Sequence, residues 1–167
     1  ASAECKDLPS VLLTDNITTI RDAAFKNCCS LTSFTFPSSL TSIGLCPFEG
    51  CRNLNSVIWD AYQIPTMMVV DNSDMYKFSY HILYDVLEQI EDFTIGSNIR
   101  NITPYMLSGM IKLQSIIIPE NVINIGERAF SGCVSLANIE IPSNVVSIGD
   151  SACYRCNGVL NITISNG

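Results

Sequence analysis

Basic residues are the first scarcity in this chain. Nine Lys and Arg face sixteen Asp and Glu across 167 residues, for a formal net charge of −7. A nucleic-acid binder sets clustered cations against phosphate, and an anionic membrane attracts polybasic segments, so the charge argues against both partners. Charge of either sign is sparse, at 15% of residues against 47% hydrophobic. The solvent surface must therefore lean on Ser, Thr and Asn, although the composition is far from that of disordered chains. No apolar run approaches the roughly 20 residues of a membrane span. There is a single histidine, His81. A Ser-His-Asp or Cys-His centre needs it beside a nucleophile, whereas its neighbours Tyr80 and Tyr84 and its irregular stretch read as a helix surface. The acids Glu120, Glu127, Glu140 and Asp150 are scattered rather than paired as in glycoside hydrolysis. Gly-rich phosphate loops and metal-ligand motifs are absent. The expectation is no enzyme, no catalytic residue, no cofactor and no metal.

What the chain does have is a period. The segment Ile118-Pro119-Glu120-Asn121-Val122-Ile123-Asn124-Ile125-Gly126 continues through Ala129-Phe130, Gly132-Cys133, Leu136, Ile139 and Ile141, and restarts at Ile141-Pro142 after 23 residues. A fixed step of that size predicts a solenoid. Its strand pattern, Leu-x-x-Ile-x-Ile, recurs as Leu8-Val11-Leu13, Leu31-Phe34-Phe36, Leu54-Val57-Trp59, Ile90-Phe93-Ile95, Leu113-Ile116-Ile118, Leu136-Ile139-Ile141 and Val159-Ile162-Ile164. The last three residues of each alternate apolar, variable, apolar, as one-side-buried strands do. About seven parallel strands follow, roughly 4.8 Å apart and about 30 Å across. Pro37, Pro119 and Pro142 end strands because proline cannot donate to a ladder. The return half of each coil points Ile17/Ile20, Leu40/Ile43, Ile99/Ile102, Val122/Ile125 and Val145/Ile148 inward. Gly44, Gly126 and Gly149 then suggest a tight bend, and Ala24-Phe25, Pro47-Phe48, Met106-Leu107, Ala129-Phe130 and Ala152-Cys153 a short outer helical turn.

One stretch breaks the step. From Trp59 to Ile95 is 36 residues, one repeat plus 13. The whole chain then divides as one domain, 1–167: a partial first repeat at 4–13, two repeats at 14–59, an irregular repeat with an insertion at 60–95, and three repeats at 96–164. Apolar spacing over residues 79–90 predicts a longer helix. Residues 60–72 are then either an excursion, the kind of insertion that often sits on a binding face of a solenoid, or part of a drifted repeat that packs its own apolar residues.

Five of the eight cysteines, namely Cys5, Cys28, Cys51, Cys133 and Cys156, share one repeat position with Leu87 and Met110. That column asks for a modest apolar side chain, and an unbridged cysteine serves as one. Cys153-Tyr154-Arg155-Cys156 has C-x-x-C spacing but neither the strand-to-helix context of a redox motif nor the second pair of a zinc site. Cys29 and Cys46 fall at variable positions expected to be exposed and are the candidates for a disulfide outside the column. The sequons at Asn16, Asn101 and Asn161 follow from the Asn/Thr-rich repeat itself.

The phrase at 118–140, repeated with changes at 36–58 and 141–163, resembles the BspA-like leucine-rich-repeat family over nearly the whole chain apart from 60–83. The resemblance implies an α/β leucine-rich-repeat horseshoe segment with a parallel sheet lining its concave side. It also implies a secreted or cell-surface protein, as in anaerobic bacteria and some parasitic protists, with a role in adhesion to host or microbial proteins. Thr14 in place of Pro, and Arg21 and Thr103 in place of Gly, depart from the pattern. The opening Ala1-Ser2-Ala3-Glu4 resembles a leader cleavage site, though an expression remnant reads the same way. The expected function is a non-catalytic protein-binding module whose outward strand positions meet the ligand: Thr35, Ser56, Ile58, Asp92, Thr94, Ser115, Ile117, Asn138 and Glu140. A structural spacer, or a homodimer through an uncapped C-terminal coil, is the alternative.

Overall fold

A computed structural model of the chain describes residues 7–63, 67–72 and 76–164. In chain order the strands are β1 (Ser10–Val11), β2 (Thr19–Ile20), β3 (Ser33–Phe36), β4 (Ser42–Ile43), β5 (Ser56–Trp59), β6 (Met67–Asn72) and β7 (Tyr76–His81). The second half adds β8 (Asp92–Ile95), β9 (Asn101–Ile102), β10 (Asn124–Ile125), β11 (Asn138–Ile141), β12 (Ser147–Ile148) and β13 (Asn161–Ile164). The architecture is a β-solenoid. Along its concave side β1, β3, β5 and β8 form one parallel sheet and β11 pairs with β13. Ser33 lies opposite Ser56 and Ser56 opposite Asp92, so the 23-residue step, lengthened only where the hairpin intervenes, is the ladder register. A second set of ladders follows the return half of the coils, β2 with β4, and β10 between β9 and β12. Among the described residues no helix is long and apolar enough to cross a membrane.

The core lies between these two sides. Leu31, Leu54, Leu113 and Leu136 occupy one column and are fully buried. In the N-terminal half the space is filled by aromatic rings: Phe34 meets Phe48 edge-on at 4.8 Å, and Phe36 meets Trp59 at 4.4 Å. Such pairs add to plain area burial by about 0.5–1.5 kcal/mol each. In the C-terminal half Ile116, Ile118, Ile139 and Ile141 take over. The last coil is the exception: Ile148, Ile162 and Ile164 stay 51%, 53% and 68% exposed, although the repeat directs them inward.

The outer side consists of non-helical turns in place of the short helical turns expected there; among the described residues the one helical element is a 3-10 turn at Leu87–Gln89. Two columns per coil carry positive φ. The first holds Ala23, Cys46, Tyr105, Arg128 and Ser151, and the second Asn27, Gly50, Gly109, Gly132 and Arg155. Between them the outer backbone hydrogen-bonds to the next coil, as in Arg128 N–H to Asp150 O, Phe130 to Ala152 and Gly132 to Tyr154 at 2.8–3.0 Å.

The bend glycines play a different part from the one expected. Gly44, Gly126 and Gly149 are absent from the positive-φ residues. They are glycines because the preceding coil passes too close for a side chain: a Cβ on Gly126 would lie 2.5 Å from Pro104 N and 2.7 Å from the Thr103 carbonyl carbon. Both are backbone atoms that cannot swing aside. Gly126→Ala is therefore expected to lower stability by about 1–3 kcal/mol through overpacking, read as a shift of the urea midpoint. An unchanged midpoint would show that the coils have room to spare.

Candidate functional site

The expected helix over 79–90 is not formed. β6 and β7 build an antiparallel hairpin instead, with Met67 opposite His81 and Asn72 opposite Tyr76. The chain after it makes successive i to i−3 turns, Tyr84 to His81, Val86 to Leu83 and Gln89 to Val86. Turns of that step bury Ile82, Leu83, Val86 and Ile90, which explains why the apolar spacing mimics a helix. Gln89 fastens this irregular coil to the regular one before it, its amide donating to Cys51 O at 2.6 Å and Leu54 O at 2.9 Å.

His81 is likewise not on a surface. It is 5% exposed at the foot of the hairpin. Its Nδ1 accepts the Leu83 N–H at 3.0 Å, so the proton sits on Nε2, which donates to Met106 O at 3.0 Å. Both ring nitrogens are occupied, leaving neither for proton transfer, and the ring acts as a clamp between the hairpin foot and the coil of Met106. Burial pushes its pKa down to about 4, against smaller opposing contributions from the Met106 and Tyr105 backbone.

Cysteines of the repeat column do more than fill space. Cys28, Cys51 and Cys133 are buried; Cys5 lies outside the described residues. The thiol of Cys51 donates to Phe25 O at 2.9 Å, that of Cys133 to Leu107 O at 3.1 Å and that of Cys156 to Phe130 O at 2.8 Å. Each bond reaches back 26 residues into the preceding coil. Cys29 and Cys46, the candidates for a disulfide outside the column, are partly buried, and no disulfide joins them.

The nine outward residues divide into two rows across the concave face. Thr35, Ile58 and Thr94 lie side by side in ladder register, as do Ser56 and Asp92. Asn138 and Glu140 stand on β11, opposite Asn161 and Thr163. Thr35 and Ser56 are half-buried, and the other seven are exposed. Ser115 and Ile117 differ from the rest. Residues 115–118 keep the buried–exposed alternation, with Ile116 and Ile118 inside and Ile117 85% exposed. They form no strand, however, and the sheet divides there into its four-stranded and two-stranded parts.

A cleft opens on each side of this segment. One, of about 270 Å³, is lined by Asp92, Thr94, Ser115 and Ile117 above Phe93, Ile95 and Ile116. The other, of about 160 Å³, is lined by Ile116, Ile117, Ile118, Glu120, Glu140 and Pro142. Five of the nine expected residues thus surround two adjoining clefts, with Ile117 as their shared wall. Ile58 is 39% exposed one row away, beside Thr94. The face offers short hydroxyls, two carboxylates and two isoleucines, a surface suited to contact and hydrogen bonding. Nothing in the repeat announces the clefts: the apolar run Ile116-Ile117-Ile118 has a counterpart in Val57-Ile58-Trp59, which lies in an intact strand.

The family described as BspA type leucine-rich repeat region matches residues 1–68 and 77–167, in six copies. The interruption falls within the hairpin. Among solved structures the chain is similar to a leucine-rich cell surface protein of Faecalibacterium prausnitzii, at 25% identity and a TM-score of 0.53, covering 89% of this chain and 43% of that one. It is also similar to a leucine-rich repeat protein of T. pallidum, at 21% identity and TM-score 0.48, covering 87% and 51%. The pneumococcal vaccine antigen PcpA is similar at 20% identity and TM-score 0.49, covering 90% and 43%. The chain thus spans about half, or less, of the length of these structures. No curated protein matches it.

The histidine clamp has a pH signature. An unfolded chain takes up a proton on His81 as pH falls through the ordinary 6.5, while the folded one resists until about 4. Its contribution is therefore complete above pH 6.5 and is lost as pH falls toward 4, a change of up to about 3 kcal/mol at roughly 1.4 kcal/mol per unit. Urea titrations of wild type and His81→Gln should show the wild type losing up to that much more stability between pH 7 and 4. Parallel pH profiles would show that His81 does not titrate against folding.

Proposed function

The chain belongs to the BspA-type leucine-rich-repeat family, and from that premise we propose that it is a non-catalytic protein-binding module of a secreted or cell-surface protein. The ligand is a protein of a host or microbial surface, received on the concave face. The observation that carries this reading is Ile117, 85% exposed between two clefts at the middle of that face. A large apolar side chain held in water is a contact awaiting a partner when it stands inside a polar rim. Ser115, Thr94 and Asn138 supply hydrogen bonds from short side chains that lose little entropy on ordering. Asp92 and Glu140 favour a ligand with a cationic edge. The cell-surface description of the F. prausnitzii relative supports the location.

Binders selected from a displayed protein library against the chain provide the test. Ile117→Asp is expected to weaken concave-face binders at least about tenfold, in line with the roughly 2 kcal/mol lost at a central contact. Val146→Ser, at an exposed position of the return side, should leave them unchanged. Binders indifferent to Ile117, Ile58 and Thr94 together would remove the concave face from the account.

The exposed apolar side chains of the last coil favour a second reading, a spacer or self-associating unit in which two copies meet over Ile148, Ile162 and Ile164. Light scattering across a concentration series decides it. A dimer that Ile162→Asp converts to a monomer supports pairing, and a monomer at every concentration removes it.

A further inference from the structure

The last coil adds to its column cysteine a second thiol that the repeat does not call for. Cys153 occupies the column in which earlier coils place Phe25, Phe48, Leu107 and Phe130. A smaller side chain there leaves its neighbours room to move, and the neighbour across the turn is Cys156, the outermost described member of the cysteine column. The two are joined by a turn in which the Cys156 N–H donates to Cys153 O at 3.2 Å. A four-residue turn closed in this way keeps its end Cα atoms within about 7 Å, the range in which a disulfide closes. The Cys156 thiol lies at the coil boundary, where it donates to Phe130 O at 2.8 Å, and each of the two thiols shifts the acidity of the other. Between them Arg155 holds φ 57° in the column where Gly50, Gly109 and Gly132 sit, so the turn is kept tight by a residue poorly suited to it.

We propose that Cys153 and Cys156 form a redox-active dithiol, a modification site at which small-molecule disulfides are reduced and an intrachain disulfide is made. Cys156 is the attacking thiol. The neighbouring Cys153 thiol, with further support from the Cys133 and Gly132 backbone, lowers its pKa, while the same interaction raises that of Cys153. Both are partly exposed, whereas Cys133 beneath them is buried and pushed up to about 12 by loss of water. In the first step the Cys156 thiolate attacks one sulfur of R–S–S–R, forming a mixed disulfide and expelling R–S⁻ with the bonding pair. In the second, Cys153 loses its proton to solvent, attacks the Cys156 sulfur and expels the second R–S⁻. Two protein thiols are oxidised, R–S–S–R is reduced to two R–SH, and the two protons end on the leaving thiolates. Closing the bridge takes the Cys156 proton away from Phe130 O, releasing the outermost described rung of the thiol ladder. Oxidation thereby loosens the last coil from the one before it.

The test uses the reduced chain incubated with glutathione disulfide, followed by alkylation of remaining thiols and peptide mass mapping. The peptide spanning Cys153 and Cys156 is expected to lose two hydrogens while Cys28, Cys51 and Cys133 remain alkylatable. In Cys153→Ser, Cys156 should accumulate one glutathione, and in Cys156→Ser, Cys153 should acquire it about tenfold more slowly. The wild-type reading does not depend on how the variants fold. Glutathione on Cys29 or Cys46 with both Cys153 and Cys156 still alkylatable would overturn the proposal. So would a bridge that forms no faster in the folded chain than in urea.

Discussion

Everything in this molecule depends on each coil finding its backbone partners in the next one, 23 residues away. On the concave side amides donate back to the preceding coil, as Asp92 does to Asn55. On the outer side they donate forward, as Phe130 does to Ala152. A coil lifted out alone would leave both sets unpaired, and an unpaired buried amide costs about 1–3 kcal/mol. The side chains follow the same rule: Asn124 bonds Asn101 at 2.7 Å, Ser147 bonds Asn124 at 2.7 Å, and the column cysteines reach the preceding coil with their thiols. Glycine at 126 and 149 is the steric expression of this stacking, since the backbone of one coil rests on the next.

Two interruptions of the stacking give the chain its individuality. The hairpin of β6 and β7 leaves the solenoid and returns to it, and its foot is held by neutral, doubly bonded His81 while Gln89 spans back to two carbonyls of an earlier coil. These polar side chains take over backbone duties that the repeat cannot perform there. At 115–118 nothing takes over, and the sheet opens into two clefts around Ile117. A local departure from an otherwise consistent pattern is where function is best sought, and the proposed ligand face and the Cys153–Cys156 pair both sit at such departures.

The period makes the fold legible, because a residue's place in the 23-residue phrase determines whether it faces the core. Leu31, Leu54 and Leu136 are placed by the phrase alone, and so are the outward rows containing Thr35, Ile58 and Thr94. Other features are hidden by degeneracy of pattern. Three-residue turns and α-helices bury apolar residues at nearly the same spacing, so residues 82–90 read equally well as a helix. Glycine serves both positive φ and close approach, and only the geometry of Gly126 separates them. Cysteine reads as a small apolar residue, while its S–H bond to a carbonyl one coil away depends on a register that sequence does not display. The opening at 115–118 arises from strand spacing, a property of neighbouring coils rather than of the segment itself.

Amide hydrogen exchange at Ser115, Ile116, Ile117 and Ile118 measures directly whether the ladder is broken beneath the proposed ligand face. A broken ladder predicts exchange there as fast as in the surrounding turns, while Phe34, Val57 and Phe93 on the intact sheet stay protected until the coils separate. Protection of 115–118 equal to that of those strands would mean an unbroken sheet. The two clefts and the place of Ile117 as their shared wall would then be contradicted.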